Sequence, residues 1–205
     1  MAGAIDRRAF IASATAAAGA LALSARLPAQ ALTVSTKSAR ILDIARREAH
    51  RNAASLWRLD IVGVADFGAH SSQPRLHFAN LEAGTVTSYL VAHGAGSDPE
   101  RDGWLHWFSN EPGSNASSRG AYVTATPYYG KHGRSQRLIG LDPENNAALD
   151  RAIVIHGASY VDPAWIDSRG RIGRSFGCFA VEDCEINRVM GALDEGRLLY
   201  AGKSA

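Results

Sequence analysis

Cysteine is scarce in this sequence: only Cys178 and Cys184 occur among its 205 residues. A disulfide between them would close a very short loop, so we expect Cys178 to be free and Cys184 to be a packing residue. Familiar metal-binding patterns are missing too, because the chain contains no CxxC and no HExxH and its histidines are scattered. We therefore expect no metal ion and no cofactor.

Long apolar runs are also missing. The uncharged stretch near the N-terminus, residues 12–25, is alanine-rich and too short to span a bilayer comfortably. It follows an Asp-Arg-Arg-Ala-Phe-Ile string and precedes an Ala-Gln-Ala site at 29–31. This order is typical of a twin-arginine-type signal peptide over residues 1–31. It predicts export to the periplasm or cell envelope, with no stable membrane span after cleavage.

A surplus of charge of one sign is the third absence. The whole chain carries a formal net charge of +2, but residues 1–31 contain three arginines against one aspartate, which is the same +2. The remaining chain is therefore neutral, and this excludes the basic surplus expected of a nucleic-acid-binding domain. With 46% hydrophobic and 20% charged residues, the composition is that of one globular domain.

The hydrophobic pattern predicts a tail and an amphipathic helix over 32–58, with the helix spanning 38–58 and Ser38 as its cap. Residues 59–205 then form a single, mainly β domain with peripheral helices. Loops are expected over 94–119, where Trp104 and Trp107 either anchor the loop or stack on carbohydrate, and over 128–133. Short helices are expected near 162–166 and over 182–194. The predicted strands are 61–66, 75–80, 85–91, 121–126, 137–141, 152–155 and 197–201.

The stretch 152–181 contains the residues best suited to chemistry. An apolar run leads into His156-Gly157, and Cys178 follows 22 residues later in a Ser-Phe-Gly-Cys string. A thiolate is a strong nucleophile and an adjacent imidazole raises its population, so His156 and Cys178 are candidates for nucleophilic catalysis. Gly157 and Gly177 would allow close backbone approach, with Gly177 and Cys178 N–H groups as an oxyanion hole. A buried cysteine beside a structural histidine explains the same pattern equally well.

The surrounding strings resemble a known family. IVIHGASYV and GRIGRSFGCFAV in the 152–181 stretch are similar to the signature of the second YkuD-like subfamily of L,D-transpeptidases. Upstream, ADF, SSQPRL, LVAHGAGS, FSNEPGS, SSRGAYVT and YYGKHGRSQRLIGL also resemble that subfamily, in the same order. The resemblance covers roughly residues 56–200, so residues 59–205 are expected to be an L,D-transpeptidase-like catalytic domain with a YkuD-like β-sandwich or curved mixed sheet.

The resemblance implies an enzyme that cross-links peptidoglycan through a thioester. Cys178 would attack the carbonyl of the diamino acid in a stem tetrapeptide and release the terminal D-alanine. His156 would act as general base, oriented by a backbone carbonyl. Partners would be the stem peptides that donate the acyl group and the accepting amine, and carbapenem-type β-lactams would acylate the same cysteine. A hydrolytic L,D-carboxypeptidase or endopeptidase and a non-catalytic wall-binding protein are the alternatives.

Further residues are expected on the substrate side of the site. Structural explanations are open as well: a salt bridge that fixes the cysteine loop for Arg174, turn packing for Tyr129 and His132, and a hydrogen bond to a loop for His93. These candidates are Arg174, Ser175, Gly157, Tyr129, His132 and His93.

One departure from the wider family concerns substrate choice. Most members have Ser-His-Gly-Cys with an Arg or Asn two residues after the cysteine, whereas this chain has Phe176 and Ala180 at those positions. The acceptor is therefore open: the side-chain amine of a neighbouring stem, another amine, or water.

Overall fold

The computed structural model describes residues 35–204, so the signal peptide predicted over 1–31 lies outside the described residues. The strands are β1 (Ile61–Asp66), β2 (Leu76–Asn80), β3 (Thr85–Tyr89), β4 (Gly120–Gly130), β5 (Gly133–Gly140), β6 (Val154–Gly157), β7 (Phe179–Val181) and β8 (Leu198–Gly202). The α-helices are α1 (Thr36–Arg51), α2 (Pro163–Arg169) and α3 (Ile186–Ala192). The prediction of a mainly β fold with peripheral helices is confirmed.

All eight strands belong to one mixed sheet in the order β3-β2-β1-β8-β4-β5-β6-β7. The β1–β8 and β6–β7 pairs are parallel, and the other neighbours are antiparallel. Parallel neighbours cannot be joined by a tight hairpin, so the chain between β6 and β7 must make a crossover. This crossover, residues 158–178, contains α2 and the string that ends at Cys178.

The sheet buries apolar side chains on both faces. On one face α1 packs Ile41, Leu42 and Ala45 with Val62 and Leu198. On the other face lies a larger cluster that reaches the C-terminal strands. Its bulky members include Phe67, Tyr122, Leu138, Ile153, Ile155, Phe179, Leu193 and Leu199. Because successive residues of a strand point to opposite faces, Leu198 and Leu199 of β8 supply one side chain to each cluster.

Helix α1 begins and ends earlier than the apolar spacing predicted. Ser35, not Ser38, is the N-cap, and its hydroxyl accepts a hydrogen bond from the Ser38 N–H at 3.1 Å. The helix ends at Arg51, where the Asn52 side chain donates to the Glu48 carbonyl oxygen at 2.9 Å. Such a local side-chain bond satisfies a terminal carbonyl and favours a stop. Beyond it Trp57 is exposed, whereas Leu56 is partly buried and packs against the same cluster as α1 although it lies outside the helix.

The segment 128–133 is not the loop that the sequence predicted. Strands β4 and β5 continue through it and leave a two-residue turn of Lys131 and His132, with Tyr128 opposite Ser135. Gly133 supplies the positive φ of 71° that closes this turn. Aromatic residues favour strands, and the long hairpin accommodates both tyrosines.

Three smaller expectations near the site also need correction. The strand predicted over 152–155 starts at Val154, because Ala152 lies in a turn with φ of 53°. The helix predicted over 182–194 is confined to α3. Both thiols are free, but Cys184 is exposed and is not a packing residue. Within residues 35–204 no helix is long and apolar enough to cross a membrane.

Strand β6 contains both the candidate site residue His156 and the core residue Ile155. The contribution of this core packing to the stability of the fold can be tested by mutation. Ile155 is fully buried in β6, whereas Ile139 of β5 is 41% exposed. We expect Ile155→Ala to lower the free energy of unfolding by about 2–5 kcal/mol, because it leaves a cavity. The control Ile139→Ala loses the same β propensity without a cavity and should cost about 1 kcal/mol or less. Equal urea midpoints for the two variants would contradict this packing.

Candidate active site

His156 and Cys178 lie at the same place in the sheet. The parallel pairing of β6 with β7 sets His156 opposite Ala180, and Cys178 immediately precedes β7. Both residues line one pocket of about 310 Å³. We call it the Cys178 pocket; its walls are Tyr128, Lys131, His132, Arg151, Ala152, Val154, His156, Tyr160, Arg174, Ser175, Phe176 and Cys178.

The Cys178 thiol is half-buried and protonated at rest. Its sulfur donates to the Ala152 carbonyl oxygen at 3.7 Å. Burial raises the pKa of Cys178, while the Val154 backbone, Lys131 and Arg151 oppose that rise. Burial disfavours the thiolate more strongly than these groups stabilise it. Ala152, whose carbonyl oxygen accepts this hydrogen bond, has a left-handed φ, which is uncommon for a residue with a side chain.

The His156 imidazole is held in a form that can accept a proton. Only 2% of the residue is exposed, and its Nδ1 lies 2.7 Å from the Gly157 carbonyl oxygen. Because a carbonyl only accepts, Nδ1 carries the hydrogen and Nε2 keeps its lone pair. This is the backbone carbonyl expected from the sequence. Burial lowers the pKa of His156, and the charges of His132 and Lys131 lower it further.

The thiol and the imidazole are not hydrogen-bonded to each other. The only hydrogen bond of the Cys178 sulfur to another described residue is to Ala152, and the only one of the His156 ring is to Gly157. The resting pair is therefore a neutral thiol beside a neutral imidazole, without a carboxylate bonded to the ring. Rotation of the thiol away from Ala152 would direct its proton into the pocket that both residues share.

Gly157 and Gly177 were expected to allow close backbone approach, with the Gly177 N–H as an oxyanion donor, and their geometry differs from this expectation. Gly157 has no positive φ, and a Cβ there would lie 2.6 Å from Oδ1 of Asp183, an exposed side chain that can move aside. Gly177 has φ of 110°, and a Cβ would lie 2.8 Å from the Ala116 carbonyl oxygen. Its N–H donates to Ser175 Oγ at 3.1 Å and is not free for an oxyanion. The prediction of Gly177 as an oxyanion donor is therefore wrong.

Ser175 orders the nucleophile loop and also forms part of the pocket wall. It is buried, and its hydroxyl donates to the Cys178 carbonyl oxygen at 2.7 Å while accepting from Gly177. Its backbone is bound on the other side, since Ser175 N–H donates to His93 O and Ala95 N–H donates to Ser175 O. By contrast, the Cys178 N–H has no hydrogen bond to any other described residue. It remains the best backbone donor for an oxyanion.

The segment that supports this loop is itself fixed by a buried polar chain. Arg75 is fully buried and donates to Val91 O, Ala69 O and His93 Nδ1, the last at 2.6 Å. Since arginine only donates, His93 Nδ1 accepts and its Nε2 hydrogen faces Asp98 Oδ2 at 3.4 Å. His93 is 0% exposed. The expectation that it faces substrate is wrong, because no ligand can reach a side chain enclosed in this way.

Arg174 continues the same support. Its guanidinium donates to the Asp98 carbonyl oxygen and lies 4.0 Å from Asp98 Oδ2. The structural explanation considered from the sequence, an arginine that fixes the cysteine loop, is therefore present in the geometry. Its side chain also reaches the surface of the Cys178 pocket, so the same residue can face a ligand.

The β4–β5 hairpin contributes His132 to the pocket, as expected, but contributes Tyr128 in place of the expected Tyr129. His132 lies in the pocket with its ring stacked on His156, the ring centroids being 4.3 Å apart. Tyr129 is 83% exposed and lies outside the pocket, whereas its neighbour Tyr128 lines it. The expectation for Tyr129 fails because neighbouring residues of a strand point to opposite faces of the sheet. The sequence predicted a loop here, and a loop does not indicate which tyrosine faces the site.

Sequence reasoning found Arg174 but missed the other two cations of the pocket, Arg151 and Lys131. Arg151 donates to Ser109 O, Ser118 Oγ and Ala116 O at 2.6–2.8 Å, and no carboxylate is among its described partners. Its position just before the β6 segment, after a polar link, was the available signal. Tyr160 was missed as well. The outcome is a pocket with positive side chains, two imidazoles and a thiol.

The comparison with protein families decides the classification. The YkuD_2 model, described as the L,D-transpeptidase catalytic domain, matches residues 32–201. The chain belongs to the L,D-transpeptidase catalytic domain family. The resemblance stated from the sequence is thereby confirmed. No curated protein sequence matches the chain.

Solved structures of two L,D-transpeptidases and of a cell shape determining protein are similar to this family member at low sequence identity. An L,D-transpeptidase from Mycobacterium smegmatis is 14% identical over 70% of this chain and 58% of that one, with a TM-score of 0.43. A mutant of the helical cell shape determining protein Pgp2 from Campylobacter jejuni is 14% identical over 84% and 58%, with a TM-score of 0.44. L,D-transpeptidase 3 from Mycobacterium tuberculosis, with a faropenem-derived adduct, is 16% identical over 70% and 60%, with a TM-score of 0.38. The chain spans less than two thirds of each.

The geometry at Gly177 predicts a specific intolerance. We expect Gly177→Ala to lower the free energy of unfolding by about 1–3 kcal/mol, because a side chain adds backbone strain and crowds Ala116 and Ile153. Gly191→Ala in α3 is the control, since nothing lies within 4 Å of a Cβ there and alanine favours helix. Chemical unfolding of both variants tests this. A Gly177→Ala protein as stable as the control would show that the loop does not need glycine.

The pKa shifts predict how the thiol reacts with pH. Burial raises the pKa of Cys178 above its ordinary 9.0 and lowers that of His156 below 6.5. Direct alkylation should therefore rise through the alkaline range with a midpoint above pH 9, without the plateau near neutrality that a thiolate–imidazolium pair would give. Iodoacetamide kinetics on Cys184→Ser protein isolate Cys178, with Cys178→Ala measured as background. A neutral plateau would contradict the protonated resting thiol.

Proposed function

We propose that this chain is an exported peptidoglycan L,D-transpeptidase that cross-links stem peptides through a Cys178 thioester, with His156 as general base. The observation that carries the proposal is a half-buried thiol and a buried imidazole with a free Nε2, opening on one pocket. An imidazole kept neutral by burial is a competent base at neutral pH. Family membership supports the same chemistry.

Acylation is the first half of the reaction. The Cys178 sulfur attacks the carbonyl carbon of the third stem residue, a diamino acid, while His156 Nε2 takes the thiol proton. A C–S bond forms and negative charge develops on the carbonyl oxygen, which the Cys178 N–H would stabilise. The C–N bond to the terminal D-alanine then breaks. The imidazolium gives its proton to the leaving amine, and a thioester remains.

Transfer to an amine completes the cycle. The acceptor amine of a second stem peptide attacks the thioester carbonyl, a C–N bond forms and the C–S bond breaks. His156 accepts a proton from the attacking amine and returns one to the sulfur. If water attacks in place of the amine, the product is a trimmed stem and the enzyme is an L,D-carboxypeptidase.

The charges of the Cys178 pocket suit this substrate. The leaving D-alanine ends in a carboxylate, and the pocket contains Lys131, Arg151 and Arg174 but no acidic side chain. Guanidinium and ammonium groups bind carboxylates through charge-assisted hydrogen bonds. His132, stacked on His156, is the further substrate-side residue of this proposal. Carbapenem-type β-lactams carry a strained acyl group and a carboxylate, so we expect them to acylate Cys178 as well.

Location follows from the same proposal. Residues 1–31 would direct export through a twin-arginine-type signal, and the enzyme would act in the periplasm or cell envelope, where its polymeric substrate lies. No nucleic-acid partner is proposed, because the chain beyond residue 31 has no net charge.

The decisive experiment supplies the substrate directly. Mature protein is incubated with purified disaccharide-tetrapeptides and analysed by mass spectrometry beside Cys178→Ala and the control Cys184→Ala. We expect wild type and Cys184→Ala to release D-alanine and form dimers, and Cys178→Ala to lose at least about 10³-fold in rate. Trimmed monomers alone would indicate the carboxypeptidase. No turnover by wild type, with retained binding, would indicate a wall-binding protein.

A further inference from the structure

A second depression lies beside the Cys178 pocket, and its walls are unusually basic. It has a volume of about 320 Å³. We call it the arginine groove; it is lined by Ala95, Arg101, Trp165, Arg169, Arg171, Ile172, Gly173, Arg174 and Phe176. Four of these nine residues are arginines, and none is acidic. All but two of them, Ala95 and Arg101, belong to the crossover between β6 and β7.

Three of the four arginines have no carboxylate partner among residues 35–204. Arg169 lies over the Trp165 ring, with Cζ 3.9 Å from the centroid. Arg171 donates only to the Arg169 carbonyl oxygen, at 3.2 Å. Arg101, at φ of 58°, makes no side-chain hydrogen bond within the described part of the chain. Arg174 alone approaches a carboxylate, the buried Asp98 at 4.0 Å.

This clustering is unexpected in a chain without net charge. Elsewhere, many surface arginines of this protein are paired, as Arg51 is with Asp142 at 2.6 Å and Arg188 with Glu185 at 2.8 Å. Like charges gathered around a concave surface repel one another and concentrate a positive potential there. A groove of this kind favours an anion, and guanidinium forks suit carboxylates in particular.

The groove is continuous with the candidate active site. Arg174 and Phe176 line both depressions, so the two depressions adjoin at these residues. Phe176 is 74% exposed and offers an apolar surface at the junction. A peptide whose acyl group lies at Cys178 can therefore continue across Phe176 and place its more distant groups among the arginines.

We propose that the arginine groove is an anion-binding subsite for the carboxylates of a peptide strand that continues out of the Cys178 pocket. The inference rests on the proposed function for the identity of that strand. Two strands share the required chemistry, namely the stem that donates the acyl group and the stem that accepts it. In either case Arg169 and Arg171 bind substrate without taking part in proton transfer.

The test separates the two halves of the reaction. The double variant Arg169→Gln/Arg171→Gln is compared with Arg40→Gln/Arg46→Gln, which removes the same charge from α1 outside both depressions. Intact-protein mass spectrometry follows thioester formation against donor concentration. The preformed thioester is then mixed with acceptor peptide, and its decay is followed against acceptor concentration.

We expect the groove variant to raise KM about tenfold in one of the two stages, with an unchanged limiting rate. An effect on thioester formation identifies the donor as the occupant, and an effect on thioester decay identifies the acceptor. Amidation of the carboxylates on the affected peptide should abolish the difference between wild type and variant. If the thioester forms but neither KM changes relative to the α1 control, the subsite is ruled out.

A binding measurement keeps the subsite testable without turnover. Cys178→Ala protein, with and without the two groove substitutions, is titrated calorimetrically with tetrapeptide stem and with its amidated form. We expect the groove substitutions to weaken binding of the free acid about tenfold and to leave binding of the amide unchanged. Equal affinities for both proteins would overturn the subsite. Absence of thioester in wild type, by contrast, would count against the proposed function alone.

Discussion

The parallel pairing of β6 with β7 is the constraint on which the site depends. It fixes Ile155 opposite Phe179, and both side chains are buried in the large cluster. A slip by one residue would turn one of these side chains out of the core and move Cys178 relative to His156. Because parallel neighbours need a crossover, the same pairing also creates the segment 158–178. That segment forms the arginine-rich wall, so the chemistry and its basic surroundings share one origin in the topology.

A second constraint keeps the nucleophile loop rigid without any contact to substrate. Arg75, His93 and Asp98 form a buried polar chain under the segment whose backbone holds Ser175. A buried guanidinium is costly unless its donors are satisfied, and here it is bonded to two carbonyl oxygens and an imidazole. Burial lowers the pKa of His93 to about 2, so this histidine stays neutral and cannot repel Arg75. Burial also lowers the pKa of Arg75, to about 9, so the chain keeps its charges at neutral pH but not far into the alkaline range.

The elements that the sequence predicted well are those with a strong local pattern. The strand Ile61–Asp66 and the short helix near 162–166 were both predicted, and both are present. His156 and Cys178, singled out by a His-Gly and a Ser-Phe-Gly-Cys string, line one pocket. What could not be predicted depends on contacts distant in sequence. His93 was expected at the site because the sequence does not show that Arg75 and Asp98 enclose it. Tyr128 and Tyr129 could be told apart only by the strand that places them on opposite faces. Arg151 lines the pocket because two carbonyl oxygens of another loop, those of Ser109 and Ala116, orient it.

Phe176 shows why position in a motif and place in a site have to be separated. The wider family has a histidine at this position, and this chain has an exposed aromatic ring instead. The pocket nevertheless contains two imidazoles, because the β4–β5 turn lays His132 on His156 with the rings inclined by 22°. The pairing of Ser135 with His156 allows this, since it brings the end of the hairpin over β6. His132 lowers the pKa of His156 and so favours the neutral imidazole. The loss of one histidine from the motif is therefore compatible with a neutral, proton-accepting His156.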